Sequence, residues 1–384
     1  MILDAIMTSE KHHKYRRIIV KAGTNLLTDG KDELDETFIE NLVSQIAHLS
    51  ADGREMVLVS SGAVAAGRGV MRNLAKSSVL PDRQVLAAVG QGRLMHLYEQ
   101  AFASHGIPTA QALLSRRDVN DRLGYLNLRN TLLSLLNNGV VPVINENDVV
   151  AVEELEGEVF GDNDTLSALV SNLIDADLLL ILGSVGGMFT KDPNIHLDAE
   201  LISVVEKIDE KLDQYAGPSS DLRGRGGMVT KIEAARLATA SGVDVVIADG
   251  TEHSIISRLS NGEKVGTLFK TSVSKLESRK RWMLSGLSNK GDLKIDEGAV
   301  TALKGNKTSL LPAGVLSCQG RFDRGDIVYI KDGDGNNIAA GISNYTSTDI
   351  RRIQNLKSDR IQEMLGHYYG DEVIHRDNMV MLNE

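Results

Sequence analysis

The sequence predicts an α/β fold in which a mainly parallel sheet is sandwiched between helices, followed by a small β-rich domain. From residue 16 onward, short β-branched runs alternate with segments of helical periodicity, a pattern typical of parallel strands joined by helices. Several runs are apolar on both faces, which indicates strands covered by helices on both sides. Near residue 270 the pattern changes to short strands bounded by glycine, so we expect a second domain there.

The first strand, helix and strand are predicted from "RIIVKAG", "TFIENLVSQIAHLSADG" and "EMVLVSSG". In the middle segment, apolar side chains recur at helical spacing at Phe38, Leu42, Ile46 and Leu49. Gly53 supplies a C-terminal stop. The runs "IPTAQALL", "GVVPVINEND", "DLLLILGS" and "VDVVIADG" predict four more strands, separated by helical segments.

We predict five segments from these changes of pattern. They are a flexible leader at residues 1–15, the α/β domain at 16–270, a linker at 271–282, the β-rich domain at 283–370 and a tail at 371–384. The leader has an apolar stub too short for a secretory signal, and it lacks the Arg-rich, acid-free composition of a transit peptide. No apolar run approaches the ~20 residues of a membrane span.

Composition places the chain among ordinary globular proteins, with 42% hydrophobic and 24% charged residues. The formal net charge of −10 argues against a general affinity for nucleic acid or anionic membrane, because both require clustered Lys and Arg. A single cysteine, Cys318, permits no internal disulfide and no cysteine-based zinc site. We therefore predict a reducing, cytoplasmic location.

The sequence assigns no metal site to particular protein ligands. The nine histidines show no zinc-like spacing and are interpreted as surface or structural residues. The run "DGDGNN" at residues 332–337 resembles the start of a calcium loop, but Asn337 and Ser343 occupy its sixth and twelfth positions. These departures favour a hairpin turn.

Candidate functional residues follow the predicted strands, since ligands of open α/β sheets bind beyond the carboxyl ends of the strands. Lys21 ends the first strand in "KAGTN", and Ser60, Ser61 and Gly62 end the second in "SSGA". Later strands end in "NEND" and "LGSVGG". Lys21 has the alternative interpretation of a surface lysine at the end of a sheet.

Two glycine-rich segments precede predicted helices and could bind an anion. The backbone N–H groups of "SSGAVAAG" could cradle a phosphate or carboxylate, although an ordinary strand-to-helix turn is the simpler interpretation. In "GRGGMVTKIEAARLATASG", Gly224, Gly226 and Gly227 precede a helix that carries Lys231. The segment is not a P-loop, because no Gly-Lys-Ser/Thr follows four spacer residues. A mobile loop is the alternative.

Residues 145–170 concentrate eight carboxylates between two apolar runs. One interpretation is an acidic surface loop with Asp162 or Asp164 as the N-cap of the following helix. A second is a metal site. A third is recognition of a substrate ammonium group, with amides orienting the substrate's carboxylate. Spacing alone leaves all three open and favours the surface loop.

Taken together, the motifs resemble the amino acid kinase family, and within it the members that act on glutamate. The resemblance rests on "IIVKAGTN", "VLVSSGAVAAGRG", "LAAVGQGRLMHLYEQ", "VVPVINENDVVA", "GDNDTLSALV" and the glycine-rich segment with Lys231. The C-terminal "IDEGAVTALKGNKTSLLPAGV", "FDRGDIVYI" and "IAAGISNY" resemble a PUA domain. The match covers roughly residues 16–370.

The resemblance implies ATP-dependent phosphorylation of the side-chain carboxylate of L-glutamate to glutamyl 5-phosphate, the first step toward proline. It also implies Mg²⁺, feedback inhibition by proline, a homo-oligomer, and transfer of the labile acyl phosphate to glutamyl phosphate reductase. A glutamate carboxylate has a reference pKa near 4.3 and is already an ionised nucleophile at neutral pH. The reaction therefore needs positioning and cations over the phosphoryl oxygens, not a general base.

The resemblance also implies roles for individual residues. Lys21 and Lys231 would contact the transferring phosphoryl group, and Asp164 would hold both lysines in place. The implied glutamate-binding residues are Ser61, Gly62, Asn145, Asp148 and Asn163. The implied nucleotide-binding residues are Lys21, Gly183, Ser184, Arg225, Gly226, Gly227, Met228 and Lys231. Residues 153–158 would form a solvated acidic flap.

Two positions depart from the family pattern. Gly183 and Ser184 stand where Thr-Asp is expected, and Arg225 stands where Gly-Thr-Gly-Gly has threonine. Both lie on the nucleotide side, so we expect weaker ATP binding and a relaxed preference among purine nucleotides.

Two rival functions remain. Another amino acid kinase, acting on acetylglutamate or UMP, is disfavoured by the PUA-like segment and by the paired "NEND" and "GDND". A non-catalytic regulator or RNA-binding protein is the alternative from another class. Residues 282–384 carry 12 Lys and Arg against 14 Asp and Glu, which lacks the basic footprint of an RNA binder.

Overall fold

In a computed structural model, the chain divides into two units. One comprises Met1–Arg116 and Thr131–Ser272, and the other comprises Arg117–Asn130 and Val273–Glu384. Within the part of the chain that is described, no helix is long and apolar enough to span a bilayer. The structure describes residues 13–75, 79–150, 163–193, 195–209, 212, 215, 227–275, 277–278, 290–306 and 308–382.

The first unit is built on one sheet, which confirms the predicted mainly parallel architecture. Its described strands are β1 (Arg17–Ala22), β2 (Glu55–Ser60), β3 (Thr109–Leu114), β4 (Val141–Glu146), β5 (Leu178–Gly183), β6 (Val204–Val205), β7 (Asp244–Asp249) and β8 (Thr267–Phe269). Their order is β3-β4-β2-β1-β5-β7-β8-β6. Neighbouring strands pair in parallel, except for the antiparallel pair β7 and β8. The five runs that predicted β1 to β5 and the run that predicted β7 all form strands.

Strand order creates a switch point at β1. The chain builds β2, β3 and β4 on one side of β1 and then continues as β5 on the other side. Loops that leave strands on opposite sides of such a point diverge, and the crevice between them is the usual ligand site of an open α/β sheet. The loops after β1, β2, β4 and β5 therefore converge on one place.

Helices cover the sheet, and their core faces follow the apolar spacing of the sequence. In the helix from Glu36 to Ala51, Ile39, Leu42 and Ile46 are buried. Asp35 caps its start by accepting a hydrogen bond from the backbone N–H of Phe38. The helices with residues in this unit are α1 (Thr24–Thr28), α2 (Glu36–Ala51), α3 (Ala63–Val70), α4 (Leu80–Ala103), α5 (Arg116–Asn120), α6 (Arg122–Asn137), α7 (Asn163–Leu173), α8 (Met228–Ala240) and α9 (Ile255–Ser260).

Helices α3 and α4 pack backbone against backbone through two glycines. A Cβ at Gly67 in α3 would overlap the backbone of Leu86, and a Cβ at Gly90 in α4 would overlap the carbonyl of Ala63. Only glycine permits this approach without displacing a helix. The contact holds the start of α3, and with it the "SSGA" turn, against α4.

The second unit contains a five-stranded sheet of order β10-β9-β11-β12-β13. Its strands are β9 (Gly291–Ile295), β10 (Val315–Gly320), β11 (Ile327–Lys331), β12 (Asn337–Ile342) and β13 (Met379–Met381), and its described helices are α10 (Glu297–Asn306), α11 (Ser347–Ile353) and α12 (Ile361–Leu365). Strands β11 and β12 form an antiparallel hairpin. Asp332 accepts hydrogen bonds from the backbone N–H groups of Asp334 and Asn336 in the connecting turn, so the predicted hairpin is confirmed.

The limits of the second unit differ from those expected at residues 283 and 370. Strand β13 lies beyond residue 370 and pairs with β12, and Ile374 is buried in the core of this unit. Residues 117–130 also belong here: Leu126 packs with Ile327 and neighbouring side chains, and the Arg129 guanidinium donates to Asn378. Helical periodicity cannot show which domain a helix packs on, so the sequence did not predict this.

The predicted leader is only partly described, since residues 1–12 lie outside the described part. Tyr15, its last residue, is buried and donates a hydrogen bond from its hydroxyl to Asp244 at 2.9 Å. Residue 15 is therefore attached to the sheet.

Replacing Gly90 by Ala should destabilise the first unit by about 3 kcal/mol or more, the upper end of the range for overpacked cores. The new methyl would overlap the backbone of α3. Gly92 is the matched control, because it lies in the same helix with nothing within 4 Å of its Cβ position. Gly92→Ala should stabilise by about 0.5 to 1 kcal/mol. Urea unfolding of both variants checks this, and equal midpoints would contradict the packing argument.

Candidate active site

A buried carboxylate held between two lysines lies at the carboxyl ends of the central strands. Asp164, in the first turn of α7, is fully buried. Its Oδ1 lies 2.6 Å from Lys21 Nζ, and its Oδ2 lies 3.1 Å from Lys231 Nζ. Lys21 comes from β1 and Lys231 from the first turn of α8. Three elements that are distant in sequence therefore meet at one charge cluster.

The positive and negative charges of this cluster do not cancel. Burial by itself would raise the pKa of Asp164, but the charges and hydrogen bonds of Lys21 and Lys231 outweigh burial and hold this pKa well below its usual value. The carboxylate therefore stays ionised across the physiological pH range. Two ammonium groups face one carboxylate, so the cluster keeps an excess of positive charge. Such a site suits a polyanionic ligand such as a nucleotide phosphate.

Thr230 also contacts the carboxylate, and the sequence did not identify it. Its hydroxyl oxygen, on the residue before Lys231, lies 2.9 Å from Asp164 Oδ2 and 2.9 Å from the carbonyl oxygen of Gly227. The sequence offered one signal for Thr230, because this residue lies in the first turn of a predicted helix beside the candidate Lys231. Only the position of α7 shows that the hydroxyl reaches Asp164.

A second, uncharged cluster lies at the carboxyl ends of β2 and β4. Asn163 Nδ2 donates to Ser61 Oγ at 3.0 Å and to Asn145 Oδ1 at 3.1 Å. Asn145 Nδ2 donates in turn to Gln91 Oε1 at 2.8 Å. Gln91, in α4, is another residue that the sequence reasoning missed. The structure thus brings together three of the candidate residues, Ser61, Asn145 and Asn163.

The amide of Asn163 presents one unused acceptor. Because its Nδ2 donates to two oxygens, its orientation is fixed. Its Oδ1 is buried and has no hydrogen-bond partner among the described residues. A buried carbonyl oxygen without a donor costs free energy unless a ligand supplies the hydrogen bond. This atom marks the place where a ligand N–H group would fit.

The turn between β2 and α3 joins the two clusters. Gly62 adopts a φ of 99° at the start of α3, a conformation that favours glycine. The backbone N–H of Ser61 donates to the carbonyl of Ala22, the residue after Lys21. The Ser61 hydroxyl and the Lys21 ammonium are therefore carried on adjacent, hydrogen-bonded segments.

Asp148 lies in the turn after β4. Burial raises the pKa of its carboxyl group, and the charge of Arg83 in α4 opposes that rise. The side chain of Gln84, next to Arg83, donates to the carbonyl of Val149, which attaches this turn to α4. A partly buried carboxylate of this kind is stabilised by a bound cation.

The nucleotide-side residues are described only in part. Gly183 ends β5, and its Cβ position lies 3.4 Å from the Lys231 side chain. Ser184 follows it and is exposed. Gly227 precedes α8 in an extended conformation, and Met228 is the first residue of that helix. Arg225, Gly226 and the acidic residues 153–158 lie outside the described part of the chain.

The three interpretations of the acidic stretch can be compared with this geometry. Asp164 is not an N-cap, because it lies inside α7 and its carboxylate binds lysines. Across the residues with described positions, no group of three or more His, Cys, Asp or Glu side chains could hold a metal ion. Asp162 lies outside the described residues.

Comparison with known proteins shows the family. Residues 16–249 match the model of the amino acid kinase family, and residues 291–365 match the PUA domain. The chain is 51% identical over 370 residues to "Glutamate 5-kinase" of Dehalococcoides mccartyi strain 195, an alignment that covers 96% of this chain and 99% of the relative. It is 47% identical to "Glutamate 5-kinase" of Caldanaerobacter subterraneus subsp. tengcongensis, over 95% of this chain and 98% of the relative.

Comparison with solved structures gives a match to an isopentenyl phosphate kinase. It is 20% identical and superposes with a TM-score of 0.47 over 66% of this chain and 100% of that chain.

Replacing Asp164 by Asn should lower the free energy of unfolding by about 3 to 5 kcal/mol, as expected when one partner of a buried ion pair is removed. Because the folded pKa of Asp164 is depressed, its stabilisation is present above the ordinary carboxyl pKa and is lost as the pH falls through the folded value. The difference between the two proteins should therefore stay constant from about pH 8 to about pH 5 and shrink only in stronger acid.

The control variant is Asp29→Asn, which removes an ion pair with Lys31 that is exposed to solvent. It should leave the unfolding midpoint unchanged within error. Denaturant unfolding at several pH values measures both. A midpoint of Asp164→Asn equal to that of the unsubstituted chain would show that the lysine cluster does not depend on this carboxylate.

Proposed function

Because the chain belongs to the amino acid kinase family, and within it to the glutamate 5-kinases, we propose that it transfers the γ-phosphoryl group of ATP to the side-chain carboxylate of L-glutamate. The observation that carries the proposal is the cluster of Lys21, Asp164 and Lys231 beside the amide and hydroxyl cluster of Ser61, Asn145 and Asn163. The first cluster suits phosphate groups, and the second suits a small polar molecule.

In this mechanism, a carboxylate oxygen of glutamate attacks the γ-phosphorus of ATP. A new oxygen–phosphorus bond forms while the bond to the oxygen bridging the β- and γ-phosphorus atoms breaks, and ADP leaves with that oxygen. The products are glutamyl 5-phosphate and ADP. The nucleophile is already ionised near neutral pH, so no side chain has to remove a proton.

The two lysines would act on the charge that develops during transfer. Lys21 and Lys231 approach the cluster from different elements, so they can contact the phosphoryl oxygens from two directions. Asp164 fixes both ammonium groups before the substrates arrive. Donors that are already oriented need little reorganisation during the reaction, which is why they stabilise a transition state well.

The uncharged cluster would orient glutamate. Asn163 Oδ1 is the acceptor left for a substrate N–H group, and Asp148 supplies a carboxylate for the α-ammonium. Ser61 Oγ accepts from Asn163, which leaves its own hydrogen for a substrate carboxylate. Gly62 and Asn145 hold these groups in position.

Among the described residues, no group of three or more His, Cys, Asp or Glu side chains could hold a metal ion, and we propose that the phosphate oxygens of ATP would be the main ligands of Mg²⁺. Mg²⁺ keeps much of its water shell and commonly binds through substrate phosphates. When bound, it neutralises part of the phosphate charge. Gly183, Ser184 and Gly227 to Met228 would line the nucleotide side, and Arg225 and Gly226, which the resemblance also implies, lie outside the described residues. The weaker ATP binding expected from Gly183 and Ser184 stays a prediction.

Further assignments follow from the proposed reaction. An acyl phosphate hydrolyses readily, so its transfer to glutamyl phosphate reductase is the proposed next step. Inhibition by proline, a homo-oligomeric state and a cytoplasmic location also belong to this proposal.

ADP release tests the function directly. The chain should release ADP with L-glutamate and not with acetylglutamate or UMP, and hydroxylamine should trap the acyl phosphate as a hydroxamate. Filter binding with structured RNA tests the alternative function. RNA retention together with no glutamate-dependent ADP release would refute the kinase proposal.

Replacing Lys21 or Lys231 by Met keeps the length of the side chain and removes its charge. Each change should remove about 2 to 4 kcal/mol of transition-state stabilisation and so lower kcat roughly 30- to 1000-fold. Lys191→Met is the control, since Lys191 pairs with Asp198 on the surface, and it should keep full activity. Near-native kcat in both cluster variants at saturating substrates would exclude these lysines from the transfer step.

Replacing Asp148 by Asn should raise the KM for glutamate by about tenfold or more, because a hydrogen bond to a charged group is lost. The KM for ATP should stay the same. Steady-state kinetics with each substrate varied in turn measures the two constants. An equal rise in both would assign Asp148 to the fold and not to glutamate recognition.

A further inference from the structure

Thr230 offers one hydroxyl hydrogen to two acceptors. Its Oγ1 lies 2.9 Å from Asp164 Oδ2 and 2.9 Å from the Gly227 carbonyl oxygen. A hydroxyl has a single donor hydrogen, so it can serve only one acceptor at a time. The side chain is 6% exposed, which leaves little room for solvent to serve the other.

The charge of the carboxylate decides between the acceptors. Hydrogen bonds to an ionised acceptor are stronger than those to a neutral carbonyl, and Asp164 is held in its ionised form by the two lysines. The hydroxyl hydrogen therefore points to Asp164 Oδ2. Gly227, the residue that precedes α8, is the secondary partner.

We infer that Thr230 is a positioning residue for phosphoryl transfer, acting through Asp164. This inference rests on the proposed function. Lys231 Nζ contacts the same oxygen of Asp164 at 3.1 Å. While Lys231 also contacts the phosphoryl oxygens, the neutral Thr230 hydroxyl remains a donor to Asp164 Oδ2 and keeps the carboxylate in place.

A neutral donor serves this purpose better than a third cation would. The hydroxyl orients Asp164 without adding charge, so the excess positive charge of the two lysines remains directed at the phosphoryl group. Thr230 and Lys231 are consecutive residues of one helical turn, so any movement of α8 shifts both donors together. Thr230 thereby fixes the distance between the carboxylate and the start of α8.

Different kinetics are expected according to whether the Thr230 hydroxyl donates to Asp164 or to the Gly227 carbonyl. If the hydroxyl serves Asp164, removing it lowers kcat and leaves the KM for ATP and for glutamate unchanged. If it serves Gly227, removing it loosens Gly227 at the start of α8 and raises the KM for ATP, with kcat retained.

Two substitutions separate the hydroxyl from the methyl group. Thr230→Val keeps the shape and loses the donor, and it should lower kcat by about tenfold or more. Thr230→Ser keeps the donor and loses the methyl group, and it should retain kcat within about twofold of the unsubstituted chain. If Thr230 only filled space, Thr230→Ser would lower kcat more than Thr230→Val.

Thr239→Val is the matched control. Thr239 lies in the same helix, and its hydroxyl donates to the carbonyl of Ala235, away from the cluster. This variant should keep both kcat and KM. Thermal unfolding of all three variants shows whether each is folded.

The decisive experiment measures glutamate-dependent ADP release with both substrates varied. A Thr230→Val protein with unchanged kcat, or with a raised KM for ATP alone, would overturn the inference. If Thr230→Val does not fold, Thr230→Ser tests the inference instead. A fall in the kcat of Thr230→Ser would then overturn the inference. Failure of the unsubstituted chain to release ADP refutes the proposed function itself, which distinguishes the two failures.

Discussion

The ion pairs of Asp164 are the interaction on which the proposed site depends. A carboxylate without exposed surface is costly to bury, and it is tolerated here because Lys21 and Lys231 contact its two oxygens. The same contacts hold the lysines, whose flexible side chains would otherwise sample many rotamers. One buried charge thus orients two cations, and it does so before any ligand is present.

The sheet provides the rigidity that this cluster requires. Strand β1 is buried from Ile18 to Ala22, and it lies between β2 and β5 at the switch point of the strand order. Buried parallel strands leave little freedom to the residues at their ends. The close contact of Gly67 and Gly90 holds α3 and α4 together in the same way. Side chains on these elements keep positions that loops alone would not maintain.

The proposed substrate cluster relies on hydrogen-bond geometry, not on charge. Gln91, Asn145, Asn163 and Ser61 form a continuous chain of donors and acceptors. Each amide has its orientation determined by its neighbour, so Asn163 Oδ1, which has no hydrogen-bond partner in the part of the chain that is described, points in one direction. Asn163 precedes Asp164 in the first turn of α7. This single turn therefore contributes both to the lysine cluster and to the uncharged cluster.

The sequence by itself determined the class of fold, the predicted strands and the family resemblance, because apolar periodicity and motif order are local properties of a chain. It also named Lys21, Asp164 and Lys231 through that resemblance. It could not show that Thr230 reaches Asp164 or that Gln91 reaches Asn145, since these two contacts span 66 and 54 positions of the chain. Nor could it assign residues 117–130 to the second unit. Such contacts depend on how helices pack on the sheet, so only the tertiary structure decided them.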